Sequence, residues 1–313
     1  MPTKPIDPKI LERANRWLQG NIDDETREQI KYLIENDPDE LTESFYCDLE
    51  FGTGGLRGIM GPGTNRMNRY TVGMATQGLA NYLKSIYPNE EELRVAIAYD
   101  SRNNSELFAK VSSLVLSANG IHVFLFEGMR PTPELSFAVR YLHCHSGIVI
   151  TASHNPRDYN GYKVYWNDGA QLIPPHDKNV IAEVQKITSI DDVKFSGDST
   201  IIDPIGEFID TAYLQAIMKY SLAPELIEKH KDLNIVYTPL HGTGITLVPP
   251  ALTKFGFENV NIVKEQAVAS GNFPTIYSPN PEEKSAMEMA LLLAEKVGAE
   301  LILATDPDAD RIG

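Results

Sequence analysis

The sequence predicts an α/β protein made of two packed units, and three observations support this prediction. The 313 residues include 42% hydrophobic residues, which is enough chain and apolar content for two separate cores. Short β-branched runs alternate with segments of helical apolar spacing, as they do in doubly wound α/β folds. A polar stretch at residues 188–200, rich in Asp and Ser, interrupts this alternation. We expect two three-layer α/β/α units with mixed sheets, divided near residue 200.

The first 40 residues are predicted to form a helical extension on the outside of the molecule. Apolar residues recur at helical spacing over residues 10–18 and 25–34, and Asp23 or Asp24 caps the second helix. Residues 51–63 follow, and their many glycines predict an irregular loop around one cation, Arg57. This loop is either a surface connection or an anion site, since glycines allow close approach to a phosphate.

The two α/β units are predicted to span residues 41–200 and 201–313. For the first unit we predict a helix at 71–86, a strand at 93–99, a helix at 105–119, a strand at 121–126, a helix at 132–142, a strand at 147–151, a hairpin at 164–166 and 170–173, and a helix ending near 187. For the second unit we predict helices at 205–220, 244–255 and 281–297, and strands at 234–238, 260–263 and 300–304.

Charge and cysteine content exclude several classes of function. Lys and Arg total 28 against 43 Asp and Glu, and the formal net charge of -15 argues against nucleic acid or an anionic membrane as a partner. The two cysteines, Cys47 and Cys144, suit free thiols in a reducing compartment. Residues 1–9 lack the basic start and apolar run of a signal peptide, and no apolar run is long enough to span a bilayer. We therefore expect a cytoplasmic location.

The segment from residue 148 to 163 is the first candidate for chemistry. A β-branched strand runs into Ser153, and polar residues at the carboxyl ends of such strands are well placed to bind ligands. Ser153 is a candidate nucleophile or phosphate carrier, while the simpler alternative is a hydrogen-bonded turn before Pro156. His154, Asn155 and Lys163 add an imidazole, an amide and an ammonium to the same segment, which a simple turn does not need.

A second candidate lies at the end of the last predicted strand. Asp306, Asp308 and Asp310 alternate in a turn, so three carboxylates can converge on one centre. Clustered carboxylates are tolerated when a hard divalent cation neutralises them, and Mg²⁺ suits few carboxylates together with phosphate and water. The alternative is a solvated acidic turn. An EF-hand is excluded because the remaining residues of that loop are missing.

Two further loops follow predicted strands. Asp100 and Arg102 are either a helix cap with a surface ion pair or part of the site. Residues 238–244 suit either a tight turn or an anion site at a helix start. We expect His241 in this loop to be hydrogen-bonded and not a catalyst.

Several of these motifs resemble those of the α-D-phosphohexomutases, the phosphoglucomutase and phosphomannomutase family. Residues 151–156 with Asn160, Gly161 and Lys163 resemble the active-serine signature, and residues 52–57 resemble the loop that sets an arginine beside it. Asp100 to Arg102 and residues 238–244 resemble two further loops. Residues 306–311 resemble the metal loop, although Pro307 and Ala309 stand where that motif has glycines.

The resemblance implies phosphoryl transfer between a phosphosugar and a phosphoserine. It implies that Ser153 carries the phosphoryl group, with Mg²⁺ held by Ser153, Asp306, Asp308 and Asp310. A sugar bisphosphate such as glucose 1,6-bisphosphate would prime the serine. Lys163, partly desolvated and so losing its proton more easily, would act as general acid or base. His154 would bind phosphate or fix the loop, and the anion contacts would be Arg57, Arg102, Arg311 and Asn155.

The resemblance covers the first two of the family's four domains. The domains that recognise the sugar and grip its phosphate have no match, so turnover by this chain alone is doubtful. The branch of phosphoglucomutases with phosphopentomutase activity looks most similar. The substrate therefore stays open between glucose, mannose and pentose phosphates, and the sequence does not indicate the oligomeric state. A metal-dependent sugar phosphatase and a noncatalytic phosphosugar-binding module remain the rival functions.

Overall fold

The computed structural model describes residues 5–52 and 54–313. Thr53, within the segment predicted as a glycine-rich loop, and residues 1–4 lie outside the described part. No helix in the described ranges is long and apolar enough to cross a membrane.

A six-stranded mixed sheet forms the centre of the first unit. Its strand order is β1-β5-β4-β2-β3-β6, in which β4, β2, β3 and β6 run parallel and β5 and β1 are antiparallel to their neighbours. The strands are β1 (Gly55–Ile59), β2 (Arg94–Tyr99), β3 (His122–Phe126), β4 (Ser146–Ile150), β5 (Tyr159–Trp166) and β6 (Ile202–Ile205).

Helices cover both faces of this sheet because its central strands are apolar on both sides. On β2, Val95 and Ile97 face a core shared with α4, α5 and α7, while Ala96 and Ala98 face a second core shared with α6 and α8. The helices are α4 (Arg69–Ile86), α5 (Ser105–Ala118), α6 (Thr132–Tyr141), α7 (His176–Val184) and α8 (Glu207–Met218). The predicted three-layer arrangement is confirmed.

The glycine-rich segment was predicted to be irregular, but part of it forms the edge strand β1. Gly55 adopts φ 146°, and a Cβ there would lie only 1.7 Å from the carbonyl oxygen of Tyr162 on the paired strand. Glycine thus lets β1 pair closely with β5. The predicted hairpin is present as a short pairing: Gln171 forms an antiparallel bridge to Tyr165, the amide of Trp166 donates to the carbonyl of Ala170, and the amide of Leu172 donates to that of Val164. Its first arm is the end of the long strand β5, and its second arm is not a full strand.

The polar stretch at residues 188–200, predicted to mark the boundary between the units, packs against the first unit. Ile190 and Val193 are buried, and the ring of Phe195 lies against Gly73 of α4. Strand β6 comes after the predicted division yet pairs with β3. Ile205, predicted to begin a helix, therefore lies in the first sheet, and α8 begins at Glu207.

The amino-terminal helices share a core with the start of α4. Asp23, one of the two predicted caps, accepts a hydrogen bond from the backbone of Thr26, and its carboxylate also accepts one from the hydroxyl of Tyr70 on α4. The ring of Trp17 lies edge-on to Phe45 and Tyr70. The helices are α1 (Pro8–Gln19), α2 (Asp24–Asn36) and α3 (Pro38–Phe45).

The second unit is built on a parallel sheet of order β8-β7-β9. The ends of β7 and β9 lead into residues 239–243 and 305–311, so both of these loops lie at the carboxyl edge of the sheet. The strands are β7 (Ile235–Thr238), β8 (Val260–Ile262) and β9 (Leu301–Ala304). The helices are α9 (Pro224–Lys229), α10 (Gly244–Phe255), α11 (Lys264–Ala267) and α12 (Lys284–Val297).

His122 ties the edge strand β6 to the first sheet and predicts a pH dependence of stability. Its Nδ1 lies 2.8 Å from Glu92 and its Nε2 lies 2.9 Å from Asp203 on β6. Partial burial lowers the pKa of His122, but the two carboxylates outweigh burial and the net pKa is raised. The imidazolium therefore stabilises the fold below the unfolded pKa of about 6.5, and this contribution is lost as pH rises through the folded pKa.

We expect His122→Gln to lower the free energy of unfolding more at about pH 5.5 than at about pH 9. The effect should stay below about 1 kcal/mol per ion pair because the partner carboxylates are exposed. Urea denaturation at both pH values measures the difference. In a Glu92→Gln/Asp203→Asn background the same change should have no pH dependence, and an equal loss at both pH values in the parent protein would contradict the assignment.

Candidate active site

Ser153 lies in a strained turn just after β4. Its backbone has φ 52°, in the left-handed region that costs a non-glycine residue about 1 kcal/mol or more. Its amide donates a hydrogen bond of 2.8 Å to the hydroxyl of Thr151, and only 3% of the residue is exposed. A single defined hydroxyl therefore stands at the carboxyl end of the sheet.

Arg102 stabilises this turn through hydrogen bonds to its backbone. Its guanidinium is buried and forms an ion pair of 3.4 Å with Asp100. The terminal nitrogens donate hydrogen bonds of 2.5 to 3.1 Å to the backbone carbonyls of Ser153, Asn155, Pro156 and Tyr159. An anion contact was predicted for Arg102. Its terminal donors bind the loop carbonyls instead, so Arg102 positions the serine turn.

A loop of the second unit covers the other face of Arg102. The guanidinium carbon lies 5.1 Å from the ring centroid of Phe273, a cation–π distance. His241 holds this loop, because its Nδ1 lies 2.8 Å from the carbonyl of Val268 and its Nε2 lies 2.8 Å from the hydroxyl of Thr275. The expectation that His241 is a hydrogen-bonded loop histidine is therefore confirmed. The same loop links the serine turn to the second unit.

The acidic turn after β9 faces the serine. Asp306, Asp308 and Asp310 each place a carboxylate oxygen within 4.8 Å of the others. Ser153 Oγ donates a hydrogen bond of 2.6 Å to Asp306 Oδ2. Burial, followed by repulsion from Asp308, raises the pKa of Asp306 to about 8. Ser153 and the three carboxylates thus form one cluster across the two units, in which Ser153, Asp306 and Asp308 are buried and Asp310 is exposed.

The departures from the family's metal motif leave the carboxylates together. Ala309 takes φ 53°, a conformation that glycine adopts without strain, while the other departure, Pro307, packs on Gly242. The amide of Thr243 donates a hydrogen bond of 2.8 Å to the carbonyl of Pro307. The loop at residues 238–244 therefore supports the acidic turn through its backbone.

Lys163 on β5 is the cation nearest the cluster. Its Nζ lies 2.7 Å from Asp308 Oδ2 and 3.0 Å from Asp310 Oδ2. Burial lowers the pKa of Lys163, but the two carboxylates outweigh burial and raise it above its ordinary value. The raised pKa of Lys163 is opposite to the prediction, which was that Lys163 loses its proton more easily than a free lysine. In the arrangement seen here the side chain is an ammonium.

The donor set fits a hard divalent cation. Asp308 is fully buried, and its Oδ1 has no hydrogen-bond partner among the described residues. A buried carboxylate oxygen without a partner costs free energy, and a cation coordinated by it would remove this cost. Oxygen ligands from Asp306, Asp310 and Ser153 lie beside it. These four residues could together hold the metal.

The remaining predicted residues form the rim of the cluster. His154 Nδ1 lies 3.3 Å from Ser153 Oγ, and Arg57 Nη1 donates at 3.3 Å to the side chain of Asn155. Burial, then the charges of Arg311 and Arg57, lowers the pKa of His154. Both arginines are exposed, which leaves their guanidinium groups accessible to an anion.

Two residues at the site were not predicted: Thr132 contacts the cluster and Glu282 contacts Arg311 on its rim. Thr132, at the start of α6, donates its hydroxyl to Asp308 Oδ2 at 3.1 Å. Glu282 accepts from Arg311 at 3.3 Å. Thr132 follows a strand and opens a helix, which is the position that drew attention to the other loops, but nothing in its spacing indicates a partner 176 residues away.

Fold and contacts define the class: two α/β/α units that bring a serine hydroxyl against an acidic cluster. The family profile for phosphoglucomutase/phosphomannomutase, alpha/beta/alpha domain I, matches residues 48–191, and that for domain II matches residues 211–313. The chain belongs to the phosphoglucomutase/phosphomannomutase family, as the motifs predicted.

Similar proteins carry several names within this family. The chain is 40% identical over 275 residues to a phosphoglucomutase of Staphylococcus haemolyticus, covering 87% of this chain and 49% of the relative. It is 35% identical over 320 residues to a phosphopentomutase of Homo sapiens, covering 98% and 52%. A crystal structure from Thermus thermophilus, provisionally assigned as a phosphomannomutase, gives a TM-score of 0.72 at 25% identity and covers 85% of this chain and 56% of that one. The chain spans about half the length of the curated relatives it matches.

The buried position of Arg102 predicts a large cost for its removal. Arg102→Met keeps much of the side-chain volume but leaves Asp100 as an unpaired buried charge, so the free energy of unfolding should fall by about 3 to 5 kcal/mol. Arg102→Lys keeps the charge without the planar fork and should lose less. Urea denaturation measures both. The exposed Arg157 gives the control Arg157→Met, with an expected change below about 0.5 kcal/mol. An Arg102→Met protein as stable as the parent would contradict the positioning role.

Proposed function

We propose that this chain carries the phosphoryl-transfer half of a phosphosugar mutase, with Ser153 as phosphoryl acceptor and donor. The observation that carries the proposal is the hydrogen bond of 2.6 Å from Ser153 Oγ to Asp306, which sets a hydroxyl against the acidic cluster. A phosphate on this serine would be repelled by the carboxylates unless a cation lay between them. The cluster therefore suits a phosphoserine only as part of a metal centre.

The proposed metal ligands are Ser153, Asp306, Asp308 and Asp310. Mg²⁺ fits them because it takes few carboxylates and completes its coordination with phosphate and water oxygens. When bound, it would supply positive charge that makes the phosphoserine a better donor. Asp308 Oδ1, which has no hydrogen-bond partner in the described part of the chain, supports this choice, as does the proximity of the three carboxylates.

In the proposed reaction a hydroxyl of a sugar monophosphate attacks the phosphorus of phosphorylated Ser153. The oxygen–phosphorus bond to the sugar forms as the bond to Ser153 Oγ breaks, and a base accepts the hydroxyl proton. The sugar bisphosphate then reorients in the site. Ser153 Oγ bonds to the phosphorus of its other phosphoryl group as the bond from that phosphorus to the sugar oxygen breaks. No phosphoryl group is lost to water, so the monophosphate is isomerised and the phosphoserine is regenerated.

Lys163 is the proposed proton carrier. As an ammonium it can donate a proton to the sugar oxygen that leaves when the phosphoryl group returns to Ser153. The neutral amine left by that step can accept the proton of the next attacking hydroxyl. Its ion pairs with Asp308 and Asp310 support this role, because they keep Nζ beside the cluster.

The rim residues are the proposed phosphate contacts. Arg57, Arg311 and His154 surround the serine, and the exposed guanidinium groups can bind phosphate oxygens in a bidentate manner. Asn155 orients Arg57 through its side chain. We propose glucose phosphates as substrates, with glucose 1,6-bisphosphate as the primer. The names of the relatives keep pentose and mannose phosphates as alternatives.

Fate of the phosphoryl group separates the mutase from its rivals. The protein is first phosphorylated with glucose 1,6-bisphosphate and Mg²⁺, freed of small molecules, and then mixed with glucose 1-phosphate. A mutase site should yield glucose 1,6-bisphosphate, while a phosphatase would release inorganic phosphate and a binding module would release neither. In Lys163→Gln the transfer should slow by about 10² to 10⁴-fold, the usual contribution of a general acid or base.

Lys186→Gln is the matched control for that experiment, since Lys186 is an exposed lysine paired with Glu183 away from the site. It should transfer the phosphoryl group at the parent rate. Release of inorganic phosphate at the rate of dephosphorylation, with no bisphosphate formed, would rule out the mutase.

A further inference from the structure

Asp308 receives its side-chain hydrogen bonds from the first unit. Its Oδ2 accepts from Lys163 Nζ at 2.7 Å and from Thr132 Oγ1 at 3.1 Å. The amide of Thr132 also donates to the backbone carbonyl of Asp308 at 2.8 Å. Oδ2 is therefore committed to two donors, while Oδ1 is buried and has no partner within the described ranges. The two oxygens of one carboxylate have different environments.

Thr132 is well suited to hold that difference. It is 4% exposed and opens α6, with Pro131 before it and Pro133 after it, so its backbone has little freedom. Its β-branched side chain has few rotamers, which fixes the direction of the hydroxyl. The positive end of the α6 dipole also faces Asp308 through the Thr132 amide. Two hydrogen bonds from one rigid residue thus set both the backbone and the carboxylate of Asp308.

We propose that Thr132 is a positioning residue of the metal centre, which turns Asp308 so that Oδ1 is free to bind the cation. The inference rests on the proposed metal site and adds that the first unit, through α6, tunes its affinity. Partners that orient a metal ligand commonly change affinity by about 10 to 100-fold when removed. Because the Thr132 contact joins two units, metal affinity would also report how well the units are docked.

Metal affinity is the test, because it needs neither substrate nor turnover. Mn²⁺ is titrated into the purified protein, and the free ion is measured by electron paramagnetic resonance. Thr132→Val keeps the shape and the backbone hydrogen bond but removes the hydroxyl, and should weaken Mn²⁺ binding by about 10-fold or more. Thr132→Ser keeps a hydroxyl and should restore most of the affinity. Thr42→Val removes a hydroxyl that donates, among the described residues, to the carbonyl of Pro38 on α3, and this variant should bind Mn²⁺ as the parent does.

The outcomes separate this inference from the proposed function. Parent-like affinity in Thr132→Val would overturn the role of Thr132 and leave the metal site standing. Affinity in Thr132→Ser as weak as in Thr132→Val, or an equal loss in Thr42→Val, would also overturn it, since the hydroxyl would not be the cause. If the parent protein bound no Mn²⁺, both the metal site and this inference would fail. Thermal unfolding without metal checks that each variant is folded.

Discussion

Three carboxylates held within 4.8 Å of one another, two of them buried, are the constraint on which this structure depends. Like charges at that distance raise each other's pKa and cannot all be ionised without compensation. The compensation comes from the other unit: Lys163 from β5, Thr132 from α6 and Ser153 from the turn after β4 all contact the acidic turn after β9. The electrostatics of the cluster therefore hold the two sheets with their carboxyl ends together. Ser153 is a part of this junction.

The serine side of the junction is preorganised independently of any ligand. The terminal nitrogens of Arg102 donate hydrogen bonds to four loop carbonyls. Because these bonds fix the loop, Ser153 keeps an unfavourable left-handed backbone conformation. Phe273 then covers Arg102, and His241 holds the loop that carries Phe273. These contacts link the serine turn to the loop beneath the acidic turn. The phosphoryl transfer proposed for Ser153 would benefit from such a fixed position.

Local patterns predicted those parts of the fold that depend on local sequence. The buried strands β2, β3 and β4 and the helices between them have apolar periodicities that admit one interpretation, and the three aspartates follow a strand at a spacing that favours a shared centre. Strand β1 was missed because its glycines argue against a strand, whereas in the fold they permit close pairing with β5. Strand β6 was missed because its pairing partner, β3, lies about 80 residues earlier in the chain.

The site residues show the same limit. The charge of Arg102 can be read from the sequence, but the backbone carbonyls that accept its hydrogen bonds cannot. An anion contact was therefore predicted for a buried arginine that holds a loop. For Lys163, burial could be anticipated, but the two carboxylates that reverse the direction of its pKa come from another unit. Thr132 opens a helix after a strand, but nothing in its spacing indicates Asp308 as its partner. Pairwise contacts between distant loops decide these roles, and they appear only once the two sheets are docked.

We propose that Ser153 carries a phosphoryl group, and intact-protein mass spectrometry with peptide mapping measures this modification. After incubation with Mg²⁺ and glucose 1,6-bisphosphate, we expect a mass gain of one phosphoryl group, mapped to Ser153 and absent from Ser153→Ala. Folded protein that gains no phosphoryl group, or gains it on another residue while Ser153 stays unmodified, would show that Ser153 is not the phosphoryl carrier.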